Sequence, residues 1–232
     1  MFDKMKKKDV AKNIRETLGI ADEEVIEEAL VIQPKPFSIP TEALSGENIR
    51  NHYSLYDQYA KDFNQISAEL DAANPSDASS NHSNFRSLKI DEVYNLNAAY
   101  LHELYFANIG DLQSELTMDT LAFMKLERDF GSFDQWQMDF LGCATASRCG
   151  WVVTGFNVYT HTYMNYVVDL HSLNVPIGVI PVIVMDVWQH AYYRDYLKDV
   201  KAYTINMMKE LNWNVIEQRF ERTEKVAQVM RG

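Results

Sequence analysis

The sequence predicts an α+β fold: an N-terminal helical hairpin followed by a C-terminal α/β domain with a small three-stranded antiparallel sheet. Two observations carry this. Apolar and aromatic residues recur at helical spacing on both sides of a polar, small-residue segment at residues 71–83, the pattern of two helices joined by a loop. Further on, Trp151 to Asn157, Tyr163 to Leu170 and Val179 to Val187 are short runs rich in β-branched and aromatic residues, the pattern of paired strands.

Taken in order, residues 1–36 form an N-terminal extension and linker. Val10, Ile14, Leu18 and Ile20, then Val25, Ile26, Ala29 and Leu30 between Glu23, Glu24, Glu27 and Glu28, predict two short amphipathic helices. The plain reading is an extension packed on the body. The sharper one is a docking arm for a protein partner, and the plain one is preferred. Gln33-Pro34-Lys35-Pro36 breaks the helical pattern and predicts an extended linker.

Residues 37–111 read as the hairpin domain. Ser45-Gly46-Glu47-Asn48 supplies capping chemistry, and Ile49, His52, Tyr53, Tyr56, Tyr59 and Phe63 follow at helical spacing. His82 sits in the polar loop and is expected to be solvated. The return helix carries Val93, Leu96, Ala99, Tyr100, Leu104 and Tyr105, with Asn95 and His102 between them, so His52 and His102 would face each other across the hairpin. Residues 112–232 form the α/β domain, with helices expected over 118–128 and 134–146, then the three strands. His161, in Thr160-His161-Thr162, reads as a hairpin-turn residue without a role.

Net charge is −11 and the isoelectric point about 5.0, which argues against a nucleic-acid groove, because phosphate binding rests on clustered Lys and Arg. An anionic substrate would need local cations or a metal to draw it in. Cys143 and Cys149 are too few for a disulfide framework and wrongly spaced for Cys-x-x-Cys, and read as reduced thiols of a cytoplasmic protein. Lys4, Lys6, Lys7 and Lys8 precede no apolar segment of signal-peptide type, and no window reaches membrane-spanning length.

The chemistry gathers at Val179-Ile180-Pro181-Val182-Ile183-Val184-Met185, a charge-free run leading into Asp186 and His190. On a helical turn residues i and i+4 share a face, so a carboxylate and an imidazole can meet in one cavity, half of a first-row transition-metal site. The competing reading is an Asp that caps the next helix and a His that fills space. A lone His52 on an aromatic stripe is likewise ordinarily a core residue.

Asp186-Val187-Trp188-x-His190-Ala191-Tyr192-Tyr193 resembles the metal-binding motif of the iron/manganese superoxide dismutases. Asn51-His52-Tyr53, Leu101-His102-Glu103-Leu104-Tyr105-Phe106 and Asn212-Trp213-Asn214-Val215 stand in that family's order, and the resemblance covers roughly residues 37–220. It implies one iron or manganese ion per chain held by His52, His102, Asp186 and His190, a homodimer, and conversion of superoxide to O₂ and H₂O₂. It also implies Tyr59 as the gateway tyrosine and His171 as a hydrogen-bonding partner of the solvent at the metal. Trp151 and Trp188 would wall the pocket.

The departures are specific. Tyr56 stands where many members have a His, Ala98 where iron-type members have a Gln, Arg148-Cys149 where relatives have Gly-Ser, and Gln189 where they have a Glu that bridges to the partner subunit. Tyr59 follows His52 by seven residues rather than eight, yet still shares its face. A second reading therefore keeps the fold and metal site but makes the protein a non-enzymatic structural or interaction component docking through residues 1–36. Tyr56, Arg148, Cys149 and Gln189 favour it; retention of four ligands and His171 opposes it. A metal-dependent oxygenase or hydrolase comes last, since nothing resembles an organic-substrate pocket.

Overall fold

Prolines at 34, 36 and 40 keep the segment entering the fold out of helix and strand, and side chains from elsewhere tie it down. The computed structural model describes residues 31–111 and 113–231, so the helices expected before residue 31 lie outside the described residues. From Ile32 onward the chain forms one compact unit. Asn64 brackets Ile32, accepting from its amide at 2.9 Å and donating to its carbonyl at 2.8 Å. Lower down, the buried Glu210 carboxylate accepts from the amides of Glu42 and Ala43, each at 2.8 Å.

Helix α1 (Gly46–Ala72) begins where Ser45 accepts from the Asn48 amide at 3.2 Å, a cap worth about 1 kcal/mol. Its buried residues Asn48, His52, Tyr56 and Ala60 are four apart, so one stripe turns inward. A polar loop with one 3₁₀ turn (Pro75–Asp77) leads to α2 (Asn84–Ala107), capped by Ser83. His52 packs on His102 and Tyr59 on Tyr94, with ring centroids 5.1 and 6.4 Å apart, so the helices run antiparallel as expected. His82 is exposed in the loop.

Helix α3 (Leu121–Phe130) starts three residues later than the hydrophobic pattern indicated. Thr120 caps it, and the Glu217 carboxylate takes the amides of Leu121 and Ala122 at 2.6 and 2.8 Å, fixing the first turn there. Gly131, at φ 85, ends α3 in the left-handed conformation, and Ser132 at once caps α4 (Phe133–Ala146).

Strands β1 (Gly150–Asn157), β2 (Thr162–Asp169) and β3 (Val179–Asp186) form an antiparallel sheet in the order β2-β1-β3. Being central, β1 is buried continuously rather than alternately from Gly150 to Phe156. The register pairs Trp151 with Val168 on one side and Asp186 on the other, bringing the end of β3 beside the start of β1. His161 lies at φ 57 between β1 and β2, a turn position as expected. Helices α5 (Gln189–Tyr196), α6 (Val200–Lys209) and α7 (Trp213–Arg231) complete the described chain.

Candidate metal centre

Antiparallel packing and sheet register place four side chains around one point. His52 comes from α1, His102 from α2, Asp186 from the last position of β3 and His190 from the first turn of α5. One ligand-capable atom from each lies within 4.8 Å of all the others. Asp186 Oδ2 is 3.0 Å from His52 Nε2, 3.1 Å from His190 Nε2 and 3.7 Å from His102 Nε2. Asp186 and His190 do not share a helical face, as their spacing suggested, because Asp186 is still in the strand. The turn is made instead by Asp186 Oδ1, which accepts from the Trp188 amide at 2.8 Å and leaves Oδ2 pointing at His190. Nor is Asp186 the helix cap: the N-cap position of α5 is Trp188.

The protonation states follow from the partners. His102 Nδ1 donates to the Ala98 carbonyl at 2.7 Å, so its Nε2 carries a bare lone pair, buried and without a hydrogen-bond partner. Burial, the largest effect, pushes the His52 and His102 imidazoles below their ordinary value, keeping both neutral. For Asp186, burial alone would raise the carboxyl, but His190 and His52 outweigh it and hold it well below the usual carboxylate range. Three imidazoles and one carboxylate, with no thiolate, suit a first-row metal. Ligand atoms held about 2.0–2.2 Å from one ion stand roughly 3–4 Å apart, as Asp186 Oδ2 does from the three imidazole nitrogens. An orphaned lone pair in a dry cluster is costly without a cation, so the residues fit one.

A shell of rings encloses the four. Trp151 meets His102 edge-on at 4.9 Å, and Trp188 stacks on His190 at 5.7 Å, so both walls stand where the sequence reading put them. His171, in the turn that follows β2, is fully buried. Its Nδ1 accepts from the Trp151 indole at 3.0 Å and its Nε2 lies 3.2 Å from the Tyr59 hydroxyl. Tyr59 therefore reaches His171 from its seven-residue spacing, while Ala60 in the next position is sealed in the core. Tyr56 stacks on His102 at 6.4 Å, and its hydroxyl accepts from the Lys35 amide at 3.1 Å.

Two neighbours escaped the sequence reading. Tyr94 packs on His171 at 4.8 Å and its hydroxyl interacts with that of Tyr59. Asn97 donates to the His171 carbonyl at 2.9 Å and anchors the loop. Both lie on α2 within two turns or so of His102, where an Asn and a Tyr read as ordinary helix surface. Gln189 is exposed, and its Oε1 accepts from the Cys149 thiol at 3.2 Å within its own chain.

Fold and site together define a protein with one buried cluster of three histidines and an aspartate able to hold a metal ion. Residues 119–219 match the C-terminal domain of iron/manganese superoxide dismutases. The chain is 32% identical over 206 residues to an iron superoxide dismutase of Aquifex aeolicus (strain VF5), spanning 86% of this chain and 96% of that one. It is also 32% identical over 183 residues to an iron superoxide dismutase of Cupriavidus metallidurans (76% and 88% of the two chains). A manganese superoxide dismutase of Mycolicibacterium fortuitum is 28% identical over 180 residues (76% and 84%). The chain belongs to the iron/manganese superoxide dismutase family.

Proposed function

We propose that this chain is an active superoxide dismutase, an antioxidant enzyme that binds one iron or manganese ion through His52, His102, Asp186 and His190. The observation that carries the reading is the buried, unpartnered Nε2 of His102 within 3.7 Å of an ionised Asp186. Bound there, iron or manganese supplies a one-electron couple able to oxidise one superoxide to O₂ and reduce another to H₂O₂. The chain's own residues set the rest. Asp186 supplies the negative charge that favours a cation, while burial, against the pull of that charge, keeps the His52 and His102 imidazoles neutral, as ligation requires. Trp151, Trp188 and Tyr56 keep bulk water from the ligands. Tyr59, half-buried with its hydroxyl against His171, is the candidate for admitting a small anion and passing protons inward.

A homodimer and a cytoplasmic setting belong to the same proposal. His190 is only partly buried and, with Gln189, lines a surface cavity of about 640 Å³ beside Asn48, Asn51 and Tyr193, which supports a partner subunit covering this face. No described helix is long and apolar enough to cross a membrane. The test is metal content and superoxide turnover on one purified sample, beside His102→Ala. About one iron or manganese per chain, with turnover lost in the variant, supports the enzyme. Metal without turnover would turn the reading toward an interaction protein on the same fold.

A further inference from the structure

His102 shows how this site orients a ligand imidazole: its Nδ1–H donates one turn back along the helix, to Ala98. One turn back from His52 stands Asn48, and the same bond is missing there. Both Asn48 Oδ1 and His52 Nδ1 are buried and without a hydrogen-bond partner. They are four residues apart on the inward stripe of α1, and the residues are 2% and 1% exposed.

The amide orientation is fixed independently. Asn48 Nδ2 donates to the Ala191 carbonyl at 3.1 Å and to Asp195 Oδ2 at 3.0 Å, both acceptors, so the oxygen is the free end. The state of His52 explains the gap. Facing an ionised carboxylate that can only accept, its Nε2, 3.0 Å from Asp186 Oδ2, carries the proton. Nδ1 is then bare, and two acceptors share one face of the helix with no hydrogen between them.

We propose that Asn48 is the positioning residue of His52: when Nε2 gives its lone pair to a cation, the imidazole proton resides on Nδ1 and donates to Asn48 Oδ1. The imidazole stays neutral, one proton leaving Nε2 for solvent and one joining Nδ1, and both orphaned atoms are satisfied. Asn48 also couples this ligand to the helix of His190, through Ala191 and Asp195. The inference rests on the metal-site reading but not on turnover.

The experiment uses the full chain loaded with zinc as a diamagnetic probe, and with manganese for a chelator challenge. The His52 Nδ1–H is expected to appear in the nitrogen-edited spectrum of the zinc form, protected from solvent exchange. Asn48→Ala is expected to speed manganese loss about 10- to 100-fold, the usual effect of removing a group that orients a metal ligand. Asn48→Asp keeps an acceptor oxygen and should restore retention relative to Asn48→Ala, despite lower thermal stability beside Asp195. Asp195→Ala, which removes an acceptor of the Ser45 amide and one of the two acceptors of Asn48 Nδ2 but leaves Oδ1 in place, should lower the melting temperature and leave metal loss unchanged. A freely exchanging Nδ1–H in the wild type, or wild-type metal retention in Asn48→Ala, overturns the proposal. Metal retained as expected but without superoxide turnover would sink the dismutase reading alone.

Discussion

The Trp151 indole donates to Nδ1 of His171 at 3.0 Å, and that bond decides where His171 carries its proton. Indole is a donor only, so Nδ1 must be bare and Nε2 protonated, and His171 donates to the Tyr59 hydroxyl 3.2 Å away. Tyr59 is thereby left with its own O–H to give, and Tyr94 is the neighbour that influences it. Burial, more than any neighbour, pushes the Tyr59 phenol up to about 12, with Tyr94 adding in the same direction.

Tyr94→Phe keeps the ring against His171 but removes the hydroxyl. Turnover is expected to fall about 3- to 10-fold, the worth of one neutral hydrogen bond. Since Tyr94 raises Tyr59, its loss lowers the Tyr59 pKa, and the alkaline limb of the turnover profile moves to lower pH. Superoxide turnover measured across roughly pH 8 to 11 checks both. An unchanged alkaline limb would show that Tyr94 does not act through Tyr59.

The pH dependence of stability should show the same residue. Burial lowers the His171 pKa from 6.5 to about 4, more than Asp186 offsets. Between those values the unfolded chain binds the proton and the folded one does not. Stability from this group is therefore full above about 6.5 and is lost as pH falls toward 4. Its slope approaches about 1.4 kcal/mol per pH unit in the metal-free protein. His171→Gln should flatten the acid limb in denaturant unfolding at a series of pH values. A wild-type slope in the variant would mean the protons are taken up elsewhere.

Much of this was legible in the chain. Helical spacing and capping at Ser45 marked α1, and β-branched runs marked the three strands within a residue. The four side chains that cluster here were legible through motif order rather than periodicity, since a His on an apolar stripe has no pattern of its own. What escaped was long-range. Glu217 sets the start of α3 from 96 residues away, and Tyr94 meets His171 across 77, distances no local pattern reports. How Asp186 meets His190 was hidden for a related reason: a hydrogen bond from the Trp188 amide, not a helical period, aims its carboxylate.

Gln189 accepts from the Cys149 thiol at 3.2 Å, so one lone pair of its amide oxygen is engaged within its own chain. The other lone pair can still accept, but the neutral amide brings no charge to raise the basicity of a ligand imidazole whose Nδ1–H it meets. Gln189→Glu restores a charged acceptor and is expected to tighten self-association and lower the metal's reduction potential. Sedimentation equilibrium and a redox titration of the metal-loaded variant test this. Equal association and potential in both proteins would leave Gln189 without influence on its neighbours.

Arg219 is 8% exposed, yet among the described residues its guanidinium donates only to neutral oxygens: Asn108 Oδ1 at 3.1 Å, the Val182 carbonyl at 3.0 Å and the Leu104 carbonyl at 2.9 Å. Burial lowers its pKa to about 10, which leaves it charged at neutral pH. What offsets the desolvation is the carbonyl end of α2, where Leu104 lies in the last turn and the helix dipole is negative. Asn108 extends the link, its Oδ1 also accepting from the Val184 amide at 2.9 Å, so one side chain ties α7 to α2 and to β3. Arg219→Ala removes a donor from three acceptors beneath the strand that ends at Asp186, of which Asn108 Oδ1 and the Leu104 carbonyl keep the Val184 and Asn108 amides, and is expected to cost about 1–3 kcal/mol of unfolding free energy. Arg219→Lys keeps the charge but not the fork and should recover less than half of the loss. Denaturant unfolding of the metal-free variants measures both, and full recovery by Lys would show that charge alone, not the geometry of three bonds, holds α7 in place.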